Sequence, residues 1–294
     1  MGSESNAKGS SPPLVRQTPP SLRALGRRSL PSIIEVDGQS YSQVRLFKND
    51  FFAATALYEG PAGKVILKVQ RQASFLLIPL GWVGRLLAAR EAAALNRLSG
   101  VPGVPRLIER WGRTGIVREY IEGRTLSPRQ PPTPVSVGAR LTSVVPDDFH
   151  ERLRELIESI HARDMAYVDL EKCENVLVGD DGRPYLFDFQ IAWYWPRRWG
   201  GDLLPARLLR QWFQAGDRYH LIKQQRRTRP DQLTAEARAE SYAKPWFVRV
   251  HHFITRPFTR ARRAVLNRID PSGKRGERGR IDENEVAGVI KQCP

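Results

Sequence analysis

The chain has 294 residues, of which 41% are hydrophobic and 9% aromatic, a composition typical of a globular protein with a buried core. Its two cysteines, Cys173 and Cys293, exclude a disulfide framework and a Cys-x-x-Cys metal site, so reduced thiols and a cytoplasmic location are expected. The longest apolar run, residues 75–84, is about half the length of a bilayer-spanning helix, which argues against an integral membrane protein.

The formal net charge of +16 is unevenly distributed along the chain. Residues 1–196 contain 25 basic and 21 acidic residues, whereas residues 197–294 contain 22 basic and 10 acidic residues. Such an excess of positive charge favours phosphate-bearing partners, which include anionic lipid, the core of lipopolysaccharide and nucleic acid. The basic surface is therefore expected in the last third of the chain.

Short runs rich in β-forming residues predict an antiparallel sheet near the start of the chain. Residues 1–31 are rich in Ser, Pro and Gly and are expected to form a disordered tail. Helix-forming composition and apolar spacing then predict two helices, and residues 127–148 are expected to form a Pro-rich loop. The strands are expected over 33–36, 41–47, 51–58, 65–69, 105–111 and 116–121, and the helices over 85–98 and 149–162.

A predicted β-hairpin follows the second helix. Two short apolar runs, 175–178 and 185–187, flank the turn signal Gly179–Gly182. Asp169 and Asn175 lie at or before the first run, and Asp188 follows the second. The hairpin is expected to bring these three oxygen-bearing side chains together. Hard oxygen ligands of this kind suit Mg²⁺, which usually accompanies phosphate chemistry.

The order of these features is similar to that of the protein-kinase-like fold: a strand lysine, Lys68, precedes a helix with Glu91, and the Asp-Asn-Asp set comes later. Over residues 40–192 the chain resembles the compact bacterial branch around the lipopolysaccharide-core kinases and the RIO-type serine/threonine kinases. The resemblance implies an α+β, bilobal fold with a small antiparallel β-sheet N-lobe carrying one helix, and a reduced, mainly helical C-lobe. The implied divisions are a tail (1–31), the N-lobe (32–122), the C-lobe with a basic aromatic region (123–270) and a flexible tail (271–294).

The resemblance also implies a kinase that moves the γ-phosphate of Mg-ATP to a hydroxyl acceptor. Asp169 and Lys68 would be its catalytic residues: Asp169 would accept or orient the proton of the acceptor hydroxyl, and Lys68, paired with Glu91, would contact the phosphates. Asn175 and Asp188 would hold Mg²⁺. The other cofactor-binding positions that it implies are Ala53, Ala54 and Thr55 beside the phosphates, and Glu119 and Ile121 at the hinge that contacts adenine.

Several positions depart from the family pattern. Asp169 and Asn175 are six residues apart instead of five, which predicts a bulge around Cys173. Gln190 replaces the glycine that usually follows the Asp-Phe pair, and no Gly-rich loop precedes the strand lysine. The alternative hypothesis is therefore a catalytically inactive pseudokinase that acts as a membrane-binding scaffold.

The acceptor stays open between a sugar of lipopolysaccharide or another glycolipid and a Ser or Thr of a protein. Four tryptophans between 193 and 212 alternate with arginines and leucines, a pattern that suits either the surface of an anionic membrane or packing of the C-lobe. On the first interpretation the protein is peripheral on the inner face of the cytoplasmic membrane through residues 193–269. Nucleic acid is the disfavoured partner, because no binding motif accompanies the charge. Asp217 suits either a brace for the catalytic loop or the N-cap of a basic helix over 217–229.

Overall fold

The computed structural model describes residues 20–75, 78–126, 145–195 and 200–242. Most of the predicted loop 127–148 and the whole predicted tail 271–294 lie outside these residues. The strands are β1 (Ile33–Val36), β2 (Gln39–Asn49), β3 (Ala53–Gly60), β4 (Gly63–Gln70), β5 (Leu107–Trp111), β6 (Gly115–Glu119), β7 (Gly123–Thr125), β8 (Met165–Ala166), β9 (Val176–Gly179), β10 (Pro184–Leu186) and β11 (Trp193–Tyr194). The α-helices are α1 (Gly81–Arg97), α2 (Phe149–His161), α3 (Leu204–Thr228) and α4 (Ala235–Tyr242).

The first six strands form one antiparallel sheet in the order β1-β2-β3-β4-β6-β5. Because side chains alternate along a strand, the two faces of β4 have different neighbours. Val65, Leu67 and Val69 belong to the apolar core on one face. Lys68 and Gln70 point to the other face, where both contact Glu91 of α1. The alternation in β4 thus separates the core of the sheet from the face that carries the predicted site.

The segment 20–31, predicted as part of a disordered tail, is instead packed on the N-lobe. Its leucines are buried, and two of them join the core of the sheet. The side chain of Arg71, 2% exposed, donates to the backbone carbonyls of Ser21 at 3.1 Å and Arg23 at 3.3 Å. A buried guanidinium needs acceptors for its N–H groups, and this segment supplies them. Composition alone does not show such a long-range requirement.

Helix α1 lies very close to the chain that leaves β4. A Cβ atom added to Gly84 would be 2.0 Å from the carbonyl oxygen of Arg71. Any side chain at this position would push the helix away from the sheet. Gly84 therefore permits the close approach through which Glu91, two turns further along the helix, reaches Lys68.

The C-lobe is built around α2, α3 and the β9–β10 hairpin. The apolar positions of α2 are buried at the predicted helical spacing, together with Tyr167 and Phe189. The β9–β10 pairing confirms the predicted hairpin, and β7 adds a third strand that the sequence did not indicate. Helix α3 begins at Leu204, so Asp217 is in its middle and the predicted helix start at 217 is wrong.

Among the described residues, no helix is long and apolar enough to cross a membrane. The architecture confirms the predicted α+β, bilobal fold.

The buried His150 gives a prediction on stability. Burial, with the nearby charges of Arg229 and Arg154, lowers the pKa of His150 to about 4, and its Nε2 lies 2.8 Å from the hydroxyl of Thr228. The unfolded chain binds this proton near pH 6.5, whereas the folded chain binds it only near pH 4. The free energy of unfolding should therefore fall as the pH drops from 6.5 to 4, by up to roughly 3 kcal/mol from this group.

Urea unfolding of the wild type and of His150→Gln at several pH values checks this expectation. The stability of the variant should depend less steeply on pH between 6.5 and 4. His220→Gln, a change at a half-buried histidine of α3, is the control. Parallel pH profiles of wild type and His150→Gln would contradict the assignment.

Candidate active site

Lys68 joins three separate elements. Its Nζ lies 2.9 Å from Glu91 of α1 and 2.8 Å from Oδ1 of Asp188, which follows β10. The side chains of Lys68 and Glu91 are 6% and 1% exposed. The carboxylate of Glu91 also accepts from Gln70 Nε2 at 3.0 Å. The structure thus brings together the lysine, the helix glutamate and the second aspartate of the sequence prediction.

The charged groups of this cluster shift one another's pKa values. Burial acts to lower the pKa of Lys68, but the charges of Asp188 and Glu91 outweigh it and raise that pKa. Burial acts to raise the pKa of Asp188, yet Lys68, Lys48 and Lys172 lower it overall. Burial raises the pKa of Glu91 more than Lys68 lowers it. Lys68 and Asp188 therefore form a stable ion pair.

Asp188 has a left-handed backbone, with φ of 68°. This conformation is unfavourable for a residue other than glycine and must be held by its surroundings. Phe189, which is buried, packs edge-on against the ring of Tyr167 with centroids 5.1 Å apart. The hydroxyl of Tyr167 in turn donates to the carbonyl of Phe187. The residues on both sides of Asp188 are therefore anchored in the C-lobe.

The six-residue step from Asp169 to Asn175 is absorbed by a tight turn. A 3-10 helix over Cys173–Asn175 ends this loop, and Cys173 is buried. Asn175 Nδ2 donates to Asp169 Oδ2 at 2.8 Å, and Lys172 Nζ lies 2.7 Å from the same oxygen. The extra residue therefore leaves Asn175 in direct contact with Asp169.

Asp217 braces the loop that carries Asp169. Its Oδ2 accepts from the backbone N–H of Tyr167 and its Oδ1 from that of Val168, both at 2.7 Å. Its Oδ2 also lies 3.0 Å from His161 Nε2. Val168 is β-branched and has a left-handed backbone, with φ of 71°, which needs such support. Of the two interpretations left open by the sequence, the structure supports the brace and not the N-cap.

The small residues predicted to border the phosphates do not all face the same way. Thr55 pairs with Lys68 across β3 and β4, so both side chains point to the face of the sheet toward α1. The hydroxyl oxygen of Thr55 is buried and has no hydrogen-bond partner within the described residues, so it could donate to a phosphate oxygen. Ala53 lies two residues before Thr55 on that face, whereas Ala54 belongs to the core on the opposite face. Alternation along β3 therefore removes the side chain of Ala54 from the predicted site.

A narrow cleft separates the sheet from the β9–β10 hairpin. Its volume is about 40 Å³, and it is lined by Phe47, Thr55, Ile66, Pro105, Arg118, Tyr120, Ile121, Leu177, Tyr185 and Phe187. Ile121, predicted at the hinge, borders this cleft. The backbone N–H of Glu119, the other predicted hinge residue, donates to the carbonyl of Arg106 at 2.9 Å, and its own carbonyl accepts from Arg118 Nη1 at 3.1 Å.

Two lysines that the sequence prediction missed also act on the site. Lys48, near the end of β2, and Lys172, in the Asp169 loop, both lower the pKa of Asp188. Lys172 stands three residues after a candidate catalytic aspartate, a signal that could have drawn attention to it. Lys48 had no such signal, because only the pairing of β2 with β3 sets it opposite Thr55.

Comparison with known proteins gives matches of limited extent. No protein-family model matches the chain. It is 32% identical over 115 residues to a protein of Streptomyces coelicolor described as "Probable SapB synthase". That match covers 35% of this chain and 12% of the SapB synthase, so the chain spans a small part of this curated relative.

Among solved structures, the chain is similar to the Rio2 kinase of Chaetomium thermophilum. One Rio2 structure, a complex with ADP, Mg²⁺ and phosphoaspartate, matches with a TM-score of 0.46 and 18% identity, and a second matches with 0.46 and 19%. These matches cover 70% and 68% of this chain and 62% of each Rio2 chain. The fold described above is α+β and bilobal, as the sequence predicted. Membership of the protein-kinase-like superfamily, and of its lipopolysaccharide-core or RIO-type branch, stays a prediction.

Replacement of Asp217 should loosen the loop that carries Asp169. In Asp217→Asn the new amide group presents donors to one of the two backbone N–H groups, which leaves a buried donor without an acceptor and should cost about 1–3 kcal/mol. Amide hydrogen exchange of Tyr167 and Val168 should accelerate. Asp148→Asn, at an exposed position before α2, is the matched control. Unchanged exchange at both amides in Asp217→Asn would contradict the brace.

Proposed function

We propose that this chain is a phosphotransferase that moves the γ-phosphate of a nucleoside triphosphate, ATP by the family resemblance, to a hydroxyl group. The observation that carries the proposal is the charge arrangement at the inter-lobe cleft. Lys48, Lys68 and Lys172, from three different elements, act on Asp188, and Asp169 lies beside Lys172. Cations arranged in this way around two carboxylates suit a polyphosphate with a bound metal ion and an acceptor.

In the proposed step the acceptor hydroxyl oxygen attacks the γ-phosphorus. The new O–P bond forms as the bond from the γ-phosphorus to the β,γ-bridging oxygen breaks, and the nucleoside diphosphate leaves. The acceptor's proton passes to Asp169, whose pKa is raised by burial more than Lys172 and Asn175 lower it. A carboxylate with a raised pKa is a better proton acceptor. Both of its side-chain hydrogen bonds use Oδ2, so we assign the proton to Oδ1.

The cations hold the phosphates in this scheme. Lys68, fixed by Glu91, would contact the α- and β-phosphates, and Lys172 would balance charge on the transferred group. The buried hydroxyl of Thr55 would donate to a phosphate oxygen.

The side chains of Asn175 and Asp188 fit a hard divalent cation. One amide oxygen and one carboxylate are the ligand types that Mg²⁺ takes in phosphate sites, together with water and phosphate oxygens. Bound there, Mg²⁺ would neutralise charge on the phosphates during transfer. Asn175 Nδ2 donates to Asp169, an orientation that leaves its oxygen for the metal.

A glycolipid sugar is the acceptor that we favour over a protein Ser or Thr. The reason is an apolar surface at the start of α3, which we call the α3 patch: Leu203, Leu204 and Leu208, which are 66%, 67% and 55% exposed. Exposed Arg207 lies among them. Apolar side chains next to a basic one suit an anionic lipid surface. Trp193 and Trp212 instead stack on Phe213, so part of the tryptophan cluster packs within the C-lobe.

Asp169→Asn should lower turnover about 100-fold to 10,000-fold, because the acceptor's proton loses its base. Nucleotide-dependent thermal stabilisation should persist, since Asp169 is not assigned to nucleotide binding. Turnover is measured with labelled ATP, and with GTP in parallel, against glycolipid and protein acceptors.

The matched control is Asp180→Asn, an exposed aspartate in the turn between β9 and β10. Equal turnover by wild type and Asp169→Asn would remove the assigned mechanism. If neither nucleotide stabilised the wild type and no acceptor were phosphorylated, the pseudokinase scaffold would be favoured instead.

The α3 patch should direct binding to anionic vesicles. The triple variant Leu203→Ser, Leu204→Ser, Leu208→Ser should bind vesicles at least about tenfold more weakly in a flotation assay. Each leucine that enters the membrane contributes apolar transfer free energy, which serine does not. The matched control replaces Ile33, Val44 and Leu46, exposed on the N-lobe, by Ser. Equal flotation of both triple variants and the wild type would argue against a lipid partner at this patch.

A further inference from the structure

Arg118 projects into the cleft where the base of the nucleotide is expected. It pairs with Ile66 across β4 and β6, so the two side chains share one face of the sheet, and both line the cleft. Its guanidinium carbon lies 5.6 Å from the centre of the Phe187 ring on the opposite wall. Its Nη1 donates to the carbonyl oxygen of Glu119 at 3.1 Å.

The positive charge of Arg118 also affects the buried charged groups of the site. It acts to lower the pKa of Glu91, the buried partner of Lys68. A guanidinium keeps its charge at all ordinary pH values and carries five N–H donors and no acceptor. The wall of the cleft beside the hinge therefore carries a permanently charged, planar set of donors, together with the Glu119 carbonyl as an acceptor.

From this arrangement, and resting on the phosphotransferase function proposed above, we infer that the cleft prefers a guanine nucleotide to an adenine nucleotide. Guanine carries two adjacent acceptors, O6 and N7, which match a guanidinium with two parallel hydrogen bonds. Adenine has the N7 acceptor but carries an amino group, a donor, where guanine has O6. Adenine would therefore set one donor against another.

The Glu119 carbonyl adds to this preference. The N1–H of guanine can donate to this carbonyl, which now accepts from Arg118, while O6 and N7 accept from the guanidinium. Adenine can donate to the carbonyl only with its 6-amino group, and it then offers the guanidinium N7 as a single acceptor. The cleft volume of about 40 Å³ is smaller than a ligand pocket of a few hundred Å³, so side chains must move when a base enters. Guanine offers new partners for the guanidinium that it displaces from Phe187 and Glu119.

Binding of Mg-GTP and Mg-ATP to the full chain tests the inference, by calorimetry and by turnover of each labelled nucleotide. The wild type should bind GTP about tenfold to a hundredfold more tightly than ATP, the range that one bidentate arginine contact gives. Arg118→Met should abolish or reverse this ratio. Arg118→Lys keeps the charge but loses the planar fork, and its ratio should fall between the two.

Arg110→Met is the matched control, because Arg110 is exposed on β5 and its guanidinium donates to the nearby carbonyl of Arg113 at 3.2 Å. It should keep the wild-type ratio. Equal affinities for the two nucleotides, a preference of the wild type for ATP, or an unchanged ratio in Arg118→Met would overturn the base preference and leave the phosphotransferase proposal standing. Failure of both nucleotides to bind the wild type would overturn both.

Discussion

The structure depends on one buried cation that serves two carboxylates. Lys68 is held at 2.9 Å from Glu91 and 2.8 Å from Asp188, and so ties the sheet to α1 and both to the end of the C-lobe hairpin. Removing charges from water costs several kcal/mol for each ion, and loss of one partner from such a group typically costs about 3–5 kcal/mol. Displacing one lobe relative to the other would therefore expose a buried charge to solvent or leave it without its partner. The same constraint that joins the lobes places a cation beside Thr55, one of the residues that line the cleft.

The C-lobe supports its half of the site with hydrogen bonds to the backbone as well as with the ion pair between Lys172 and Asp169. Asp217 accepts from the N–H groups of Tyr167 and Val168, and so holds Val168 in its unfavourable left-handed conformation. These hydrogen bonds fix the backbone next to Asp169, and the 3-10 turn at Cys173–Asn175 accommodates the additional loop residue. The departure from the family pattern is thus accommodated locally, without separating Asn175 from Asp169.

Positive charge is used differently in the two parts of the molecule. Around the cleft, lysines lie near carboxylates and lower the pKa of Asp188, so that the charges balance in a confined volume. At the start of α3, exposed leucines accompany an exposed arginine, and nothing in that arrangement requires a carboxylate partner. Arg118 also lines the cleft, where it presents a planar guanidinium in place of an ammonium group. The net charge of +16 therefore includes two kinds of basic surface, one around the cleft and one at the start of α3.

Local patterns in the sequence were enough to predict the sheet, α1, α2 and the hairpin, because alternation, helical spacing and turn residues act over a few positions. The order of Lys68, Glu91, Asp169, Asn175 and Asp188 was also enough to nominate the site. What only the tertiary structure decided was which side chains share a face and which contacts close over long distances. Strand alternation places the side chain of Ala54 on the face opposite the site. Arg71 holds residues 20–31 through hydrogen bonds to distant carbonyls. Strand pairing sets Lys48 opposite Thr55 and Arg118 opposite Ile66. A buried charge must find its partner wherever the fold brings one, and that partner is not encoded in the residues next to it.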